Sequence, residues 1–383
     1  MERFDVAVIG AGPAGSAAAI YLARDGYSVV LVDKALFPRE KLCGDFLNPI
    51  NWPLFEQLGV ADKLLSLEHE KVTSFRISTA SGEEAAVGFP FQNGRRLFGL
   101  GLRRFYLDDL LLRVAEKEGV AVRQGCKAGG FVKEKEGWSI ILDDHSIGER
   151  LRSVFLIGAD GRNSLVVQRL GLARKSESAG NHLAFQSHLR GVNGVQGDVQ
   201  IHSFPGGYAG LVGLGGGTVN LCFTVERSKA RGEVSLGALF ENCLYKNSYL
   251  RELLRDGEIV GHVRSAFPVC FSPRRSYGEG FLLVGDAARV SEPITGEGVY
   301  FALKSGMLAA EAVNSAFRKP HSCAEPFTNY GRLCQKAFSS RQRVNRTIRA
   351  LIYRPSLFSP LIRLSAKTSF PLYPLVDWLC RAG

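Results

Sequence analysis

The sequence predicts an α/β fold: a parallel-sheet domain assembled from separated segments, interleaved with a mixed β-sheet domain and followed by a helical C-terminal tail. Three apolar runs point to it, at residues 4–9, 154–157 and 281–284, each ending in a glycine-containing turn. Between the second and third lie short alternating runs with glycine-rich turns, the pattern of a second sheet. Repeated strand–turn–helix units build parallel sheets.

The first unit is the most complete. Residues 4–9 form a predicted buried strand, Gly10-Ala11-Gly12-Pro13-Ala14-Gly15 follows, residues 14–24 have helical character, and a second strand over 28–32 ends at Asp33. Strand, glycine-rich turn, helix, strand and acid in this order form the dinucleotide-binding fingerprint. Gly10 permits the tight turn, Gly12 lets a pyrophosphate approach the backbone, Gly15 lets helix and strand pack closely, and Asp33 is placed to bind ribose hydroxyls. Pro13 suits the first helical position, where a missing N–H costs little.

The third unit carries Gly285-Asp286-Ala287-Ala288, then Pro293, then Gly296-Glu297-Gly298 opening a predicted helix over 298–317. A strand ending in Gly-Asp delivers a carboxylate to the sheet edge. Gly-Glu-Gly at a helix start exposes backbone N–H groups in a region of partial positive charge. This suits a flavin, with Asp286 accepting from the sugar-alcohol chain and the helix end facing the ring. The middle unit, Gly158-Ala159-Asp160-Gly161, leaves two readings of Asp160: contact with the cofactor region, or stabilisation of the turn.

Together the three turns resemble the flavoprotein superfamily of aromatic-ring hydroxylases (group A flavin monooxygenases), geranylgeranyl reductases and flavin-dependent halogenases, over about residues 1–315. The resemblance implies a Rossmann-like FAD-binding domain of the GR2 type, built from 1–75, 95–170 and 270–318. A β-sheet substrate domain is expected from 76–94 and 171–269, and a basic amphipathic helical region from 319–383. It implies FAD contacts from Gly10, Gly12, Pro13, Ala14, Gly15, Asp33 and Lys34, and from Asp160, Gly285, Asp286, Pro293, Gly296, Glu297 and Gly298. The family usually has Glu where this chain has Asp33. Two stretches are closest to the geranylgeranyl-reductase branch: residues 37–45, similar to that branch's Pro-Arg-x-Lys-x-Cys-Gly segment, and residues 296–306. The first adds Lys41, Cys43 and Gly44 to the cofactor set. Arg104 matches a family arginine near the flavin, with Arg103 beside it as the alternative. The branch's Tyr-x-Trp-x-Phe-Pro signature is not kept: Gly210 stands for Trp and the Phe-Pro pair is absent, so the resemblance does not by itself assign the polyprenyl substrate. Tyr208 and Leu211 are the substrate candidates of that stretch. The halogenase Trp-x-Trp-x-Ile-Pro signature is absent, which speaks against halogenation.

Cys43 and Asp45 are the candidate catalytic acids. Reduction of a carbon–carbon double bond needs a proton beside the hydride, and a thiol near the flavin could donate it. The alternatives are a packed, inert Cys43 and an Asp45 that caps the helix beginning near Pro49. The favoured expectation is an FAD-dependent oxidoreductase reducing double bonds of a prenyl or lipid-like chain. Its flavin would be reduced by NAD(P)H or another donor that binds transiently, since no second GxGxxG is present. The alternative is hydroxylation of an aromatic or phenolic lipid through a flavin hydroperoxide. A flavin-binding module without turnover and a plain NAD-dependent dehydrogenase are the lesser readings.

The chain has 383 residues, enough for two domains sharing a cleft, and a net charge of +11. The tail from Arg341 onward supplies +7 of that charge, with Asp377 its one acid. The tail is also rich in Leu, Ile, Phe and Trp, and Pro355, Pro360, Pro371 and Pro374 are expected to break it into short helical pieces. Two readings stay open: peripheral docking on an anionic membrane, or packing on the FAD domain with solvated arginines. No nucleic-acid motif accompanies the charge. The eight cysteines form no CxxC pair and the histidines have no metal spacing, so no metal site is expected. Glu2 and Arg3 run directly into the first strand and no run of some 18 apolar residues occurs, which leads to a cytoplasmic expectation, with the inner face of a membrane if the tail docks there.

Overall fold

The computed structural model describes residues 1–143, 149–173, 181–230, 235–269, 271, 273–290, 293–318 and 324–381. Cys270 and Cys323 lie outside the described residues. A parallel core runs Ala121–Gln124, Val29–Asp33, Glu2–Ile9, Arg150–Gly158, Phe281–Leu283. The strand Val29–Asp33 is buried at every position, because helices and further structure cover both faces of such a sheet. Arg150–Gly158 divides its other edge: its first half pairs antiparallel with Gly137–Asp143, its last residues parallel with Phe281–Leu283. The register places Ile9 opposite Val32 and Gly158, and Gly158 opposite Leu283. The three glycine turns therefore emerge side by side at the carboxyl edge of the sheet, where α/β sheets bind ligands.

Three helices cover one face: α1 (Pro13–Arg24), α2 (Arg104–Lys117) and α3 (Gly298–Arg318). α1 is built almost wholly from small and apolar residues and is buried from Pro13 through Ile20. α3 lies against it at Gly306, where an added Cβ would fall on the carbonyl oxygen of Ala14 and come 3.0 Å from the Ala18 nitrogen.

The second sheet has seven strands in the order Glu258–Ala266, His182–Arg190, Val219–Glu226, Gly207–Gly213, Asp198–Phe204, Ser74–Ser78, Glu84–Gly88. Alternation divides its faces: Tyr208 and Val212 join one core, Ala209 and Leu211 the other. The single strand expected over 72–79 is two. Glu70–Val72 pairs in a small third sheet and Ser74–Ser78 in the second. Thr73 between them donates its N–H to the Gly197 carbonyl and accepts from Phe89, which turns the chain from one sheet to the other. Near Pro49 the chain makes a 3-10 turn, Pro49–Asn51, before the helix Trp52–Leu58. Asn48, not Asp45, caps that turn, accepting the Ile50 N–H at 3.1 Å.

The tail departs from the expected short pieces. α4 (Ala324–Ile352) is 29 residues long, followed by α5 (Pro355–Thr368) and α6 (Leu372–Cys380). Pro355 opens α5, Pro371 precedes α6 and Pro374 lies in its first turn, where a missing N–H costs little; Pro360 lies in the interior of α5, on its exposed side. The tail packs on both domains. Phe327, Tyr330 and Phe338 enter the first core, and Ile352, Phe358, Ile362, Leu372 and Val376 join Ile77, Val87 and Ile201 of the second sheet. Each such fully buried side chain contributes about 1.5–3 kcal/mol. No helix among the described residues is long and apolar enough to cross a membrane.

Gly306→Val tests the close approach of α1 and α3. The obstacle is backbone and cannot swing aside, so overpacking should lower stability by about 3 kcal/mol, read as a lower urea midpoint at unchanged slope. A midpoint equal to wild type would show that the helices have room to separate.

Candidate functional site

A cavity of about 850 Å³ lies where the first sheet's carboxyl edge meets the second sheet and the tail. One end is lined by Gly12, Pro13, Ala14, Ala159, Gly161, Arg162, Asp286, Pro293, Gly296 and Gly298. The other is apolar: Phe75, Ile77, Val199 and Ile201 from the second sheet, and Ile348, Leu351, Phe358, Ile362, Leu375, Val376 and Leu379 from the tail.

The glycines at the first end do different jobs. Gly10 has φ +106°, and an added Cβ would fall on the Ala159 carbonyl; one at Gly15 would fall on the carbonyl of Gly10. These two close the turn. Gly12 would meet only Arg39 Nη2, at 3.7 Å, and so leaves the N-terminus of α1 open to the cavity. That terminus offers free N–H groups and partial positive charge to an anion.

The acids differ as well. Asp286 lines the cavity, with Arg162 Nη2 3.9 Å from its carboxylate. Asp33 is not part of the lining. Its two oxygens accept the N–H groups of Ala11 (2.7 Å) and Ala35 (2.9 Å), bracing the turn from behind. Lys34 is exposed and outside the lining. Asp160 also lies outside it: the carboxylate accepts from Leu165 N–H at 2.6 Å and Val166 N–H at 3.2 Å, and binds the Ser164 hydroxyl, so it holds the short helix Leu165–Arg169. Gly285 donates its N–H to Ser305 Oγ at 2.9 Å, fixing the start of the Gly-Asp turn to α3.

Between the two ends runs the 41–44 segment, with Lys41, Leu42, Cys43 and Gly44 in the cavity wall. Burial pushes the Cys43 thiol up, against the pull of the Arg104 guanidinium, which contacts it. Burial pushes the Lys41 ammonium down, opposed by the Asp286 carboxylate. Arg104 rather than Arg103 faces the cavity; Arg103 pairs with Glu40. Arg104 is held by a two-point contact with Asp108 (2.6 and 2.8 Å), which Arg39 joins at 3.3 Å.

Asp45 is 1% exposed and lies behind the wall, not in it. It accepts the Arg104 backbone N–H at 3.1 Å and the Gln186 amide at 3.0 Å, and bonds His188 Nε2 at 2.9 Å. Burial raises its carboxyl, while His188 and Arg104 act the other way. Gln186 in turn accepts the Cys43 N–H (3.2 Å), and Asn220 donates to the Cys43 carbonyl (3.4 Å). The second sheet thus grips Cys43 through its backbone on both sides.

Glu297 is buried too, and turns away from the cavity. Arg341 of α4 meets it at 2.5 Å, stacks over Trp378 at 4.5 Å and donates to the backbone carbonyl of Arg381. The Gly-Glu-Gly turn is thereby tied to the tail. Burial raises the Glu297 carboxyl and Arg341 opposes it.

Tyr208 and Leu211 both belong to the lining, although the Leu211 side chain joins the core on the sheet's other face. Sequence reasoning did not select Arg39, Arg162, Gln186, His188 or the tail residues. Phe358, Leu361, Ile362 and Ser365 do recur at helical spacing, and that periodicity was the available signal. Among the described residues no cluster could hold a metal ion, and Cys43, Cys126, Cys222, Cys243, Cys334 and Cys380 are free thiols.

A glycine-turn cradle that opens into an apolar chamber, both closed by one tail, is the architecture of a two-domain flavoprotein oxidoreductase. Comparison with known proteins makes this specific: residues 3–201 match the FAD binding domain family, and the chain belongs to it. It is 30% identical over 342 residues to menaquinone reductase of Mycolicibacterium smegmatis, covering 85% of this chain and 80% of that protein. It is also 30% identical to digeranylgeranylglycerophospholipid reductase of Methanosarcina mazei, covering 82% and 76%. Among solved structures, a myxobacterial chondrochloren halogenase shares the fold with a TM-score of 0.82 at 23% identity, covering 90% of this chain and 82% of that one. The protein is an FAD-dependent oxidoreductase. The residues present fit that cofactor: the bare α1 terminus at Gly12 for its pyrophosphate, Asp286 for its sugar-alcohol chain, and Gly296 with Gly298 for its ring.

Arg341→Ala removes the cation that faces Glu297. The orphaned buried carboxylate should cost about 3–5 kcal/mol at neutral pH. Its carboxyl then rises further above its unfolded value, so the deficit shrinks as pH falls and Glu297 takes up a proton. Denaturation at about pH 8 and about pH 5 checks this; a pH-independent deficit would place the loss in packing instead.

Proposed function

We propose that the protein reduces carbon–carbon double bonds of a prenyl or other lipid-like chain. The observation that carries this reading is the continuity of the cavity, from the cofactor cradle at Gly12 and Gly296 to a wall made of Phe75, Ile77, Ile201, Phe358 and Val376. An extended apolar substrate gains from every such contact, at about 0.8 kcal/mol per buried CH₂. The two reductase relatives act, by their names, on a quinone and on a lipid, which supports an apolar substrate here.

FAD, when bound, supplies the hydride; NAD(P)H or another donor that binds transiently is the proposed source of its electrons. The chain's own residues orient the alkene, exclude water and deliver one proton, so that hydride and proton add across the double bond. The apolar wall does the first two. Cys43 is the proposed proton donor, because it lies in the wall where cradle and chamber meet and is held there by Gln186 and Asn220. Its raised thiol keeps the proton at neutral pH. Tyr208 is proposed to contact substrate.

Two measurements test this. Anaerobic mixing of reduced enzyme with a prenyl-lipid panel should oxidise the flavin and saturate one alkene; a requirement for oxygen and a hydroxylated product would overturn the reading. Cys43→Ala should lower kcat roughly 100-fold with little change in KM, while FAD stays bound. The wild-type rate should hold from neutral pH upward and fall only above the ordinary thiol value of 9.0, as the raised group loses its proton. An unchanged kcat in Cys43→Ala removes the thiol from the mechanism.

A further inference from the structure

The cavity mouth carries cations that the proposed reaction does not use. A shallow hollow of about 520 Å³ on α4 is lined by Arg343, Arg346, Thr347, Ala350, Leu351 and Arg354. Arg343, Thr347 and Leu351 also line the apolar cavity, so the two spaces share a wall. No acidic side chain lines the hollow. Three other arginines of the tail do have carboxylate partners: Arg341 with Glu297, Arg363 with Glu83, Arg381 with Asp377. Among the described residues, Arg343, Arg346 and Arg354 have no carboxylate partner; Arg346 Nε donates only to the Gln342 carbonyl. All three are exposed, and Arg354 stands across the α4–α5 turn from the other two. Next to them the outer side of α5 and its following turn expose Leu357 (50%), Leu364 (44%) and Phe370 (60%).

Guanidinium groups gathered without a counter-charge repel one another and match the oxygens of phosphate in fork geometry. An apolar chamber opening beside them has the polarity of an amphiphile, with the chain inside and the charged head at the rim. We propose that the hollow is an anion subsite that takes the phosphate, or an equivalent oxyanion head, of an amphiphile whose chain occupies the cavity. This rests on the reading that the cavity takes an apolar chain, and it adds what that reading lacks: a charge at one end of the ligand, hence a fixed direction of entry. Arg346 and Arg354 act here as head-group contacts at the rim.

The test is calorimetric titration of the FAD-loaded full chain with dodecyl phosphate, dodecanol and inorganic phosphate, each below aggregation. Wild type should bind dodecyl phosphate more tightly than dodecanol, with the advantage shrinking as salt rises. Arg346→Gln/Arg354→Gln should lose roughly 10- to 30-fold in affinity for dodecyl phosphate, keep its dodecanol affinity, and retain FAD. Equal affinity for the phosphate and the alcohol in wild type overturns the subsite while leaving the apolar-chain reading standing. A double variant that keeps the full preference overturns it as well. Failure of dodecanol and dodecyl phosphate alike to bind overturns both readings. Co-sedimentation with phosphatidylglycerol vesicles against phosphatidylcholine vesicles separates the sources of the head group. Arginine-dependent pelleting with the anionic vesicles means presentation from a bilayer. Binding of dodecyl phosphate without pelleting means a free amphiphile. Each of these two supports the subsite.

Discussion

The site depends on a single buried carboxylate. Asp45 sits at φ +51° behind the cavity wall, and its two oxygens hold together three parts of the chain that are distant in sequence: the 41–44 segment, the start of α2 at Arg104, and the second sheet at Gln186 and His188. A buried carboxylate must be satisfied by donors, and here the donors come from both domains. The cost of leaving any of them unmatched fixes the angle at which the second sheet meets the first. Gln186 passes the constraint on, since the same side chain that donates to Asp45 accepts from Cys43. The position of Cys43 is thus set through hydrogen bonds at its own backbone N–H and carbonyl.

A second buried charge does for the far side what Asp45 does for the near side. Glu297 belongs to the turn that opens α3, and its partner Arg341 belongs to the tail. The exchange is between a short polar turn and a long apolar cover. Removing the tail's cation would leave a charge in the core, so the Gly-Glu-Gly turn and the cover over the chamber are coupled energetically. Seven of the chamber's apolar lining residues named above come from that cover, and the tail is therefore a structural part of the site rather than an appendage.

Much of the first domain was legible because its signals are local. Gly10 and Gly15 sit within one strand–turn–helix–strand unit, where backbone sterics dictate residue type. The strand over 29–33 and the helix after Gly298 follow from composition. What was not legible depends on distant partners. Asp33 was read as a ribose ligand from its place after the second strand; that its carboxylate also accepts from Ala11 and Ala35 does not show in that place. Asp160 allowed two readings until Leu165 and Val166 were seen to fold back on it. His188 was not selected because nothing adjacent in sequence hints at Asp45, 143 residues earlier. The tail kept two readings for the same reason. Its apolar stripe was visible, but whether it meets lipid or protein is decided by the second sheet's inner face at Ile77, Val87 and Ile201, which no local pattern in the tail reveals.

The departure at Gly210 takes on meaning in this setting. The reductase signature that residues 208–213 do not keep carries a tryptophan at this position, and Gly210 lies in the cavity lining. An added Cβ at Gly210 would meet Ile201 Cδ1 at 3.4 Å, ordinary contact, so backbone conformation does not require glycine at this position. The missing ring leaves space on the sheet side of the chamber, and the opposite wall is supplied by Phe358, Ile362 and Val376 from the tail. With no large side chain at Gly210, the sheet sets less of the chamber's shape on that side, and the tail helices opposite set more. A signature confined to the sheet is then a poor guide to what this chamber accepts, because half of its apolar wall comes from helices outside that signature.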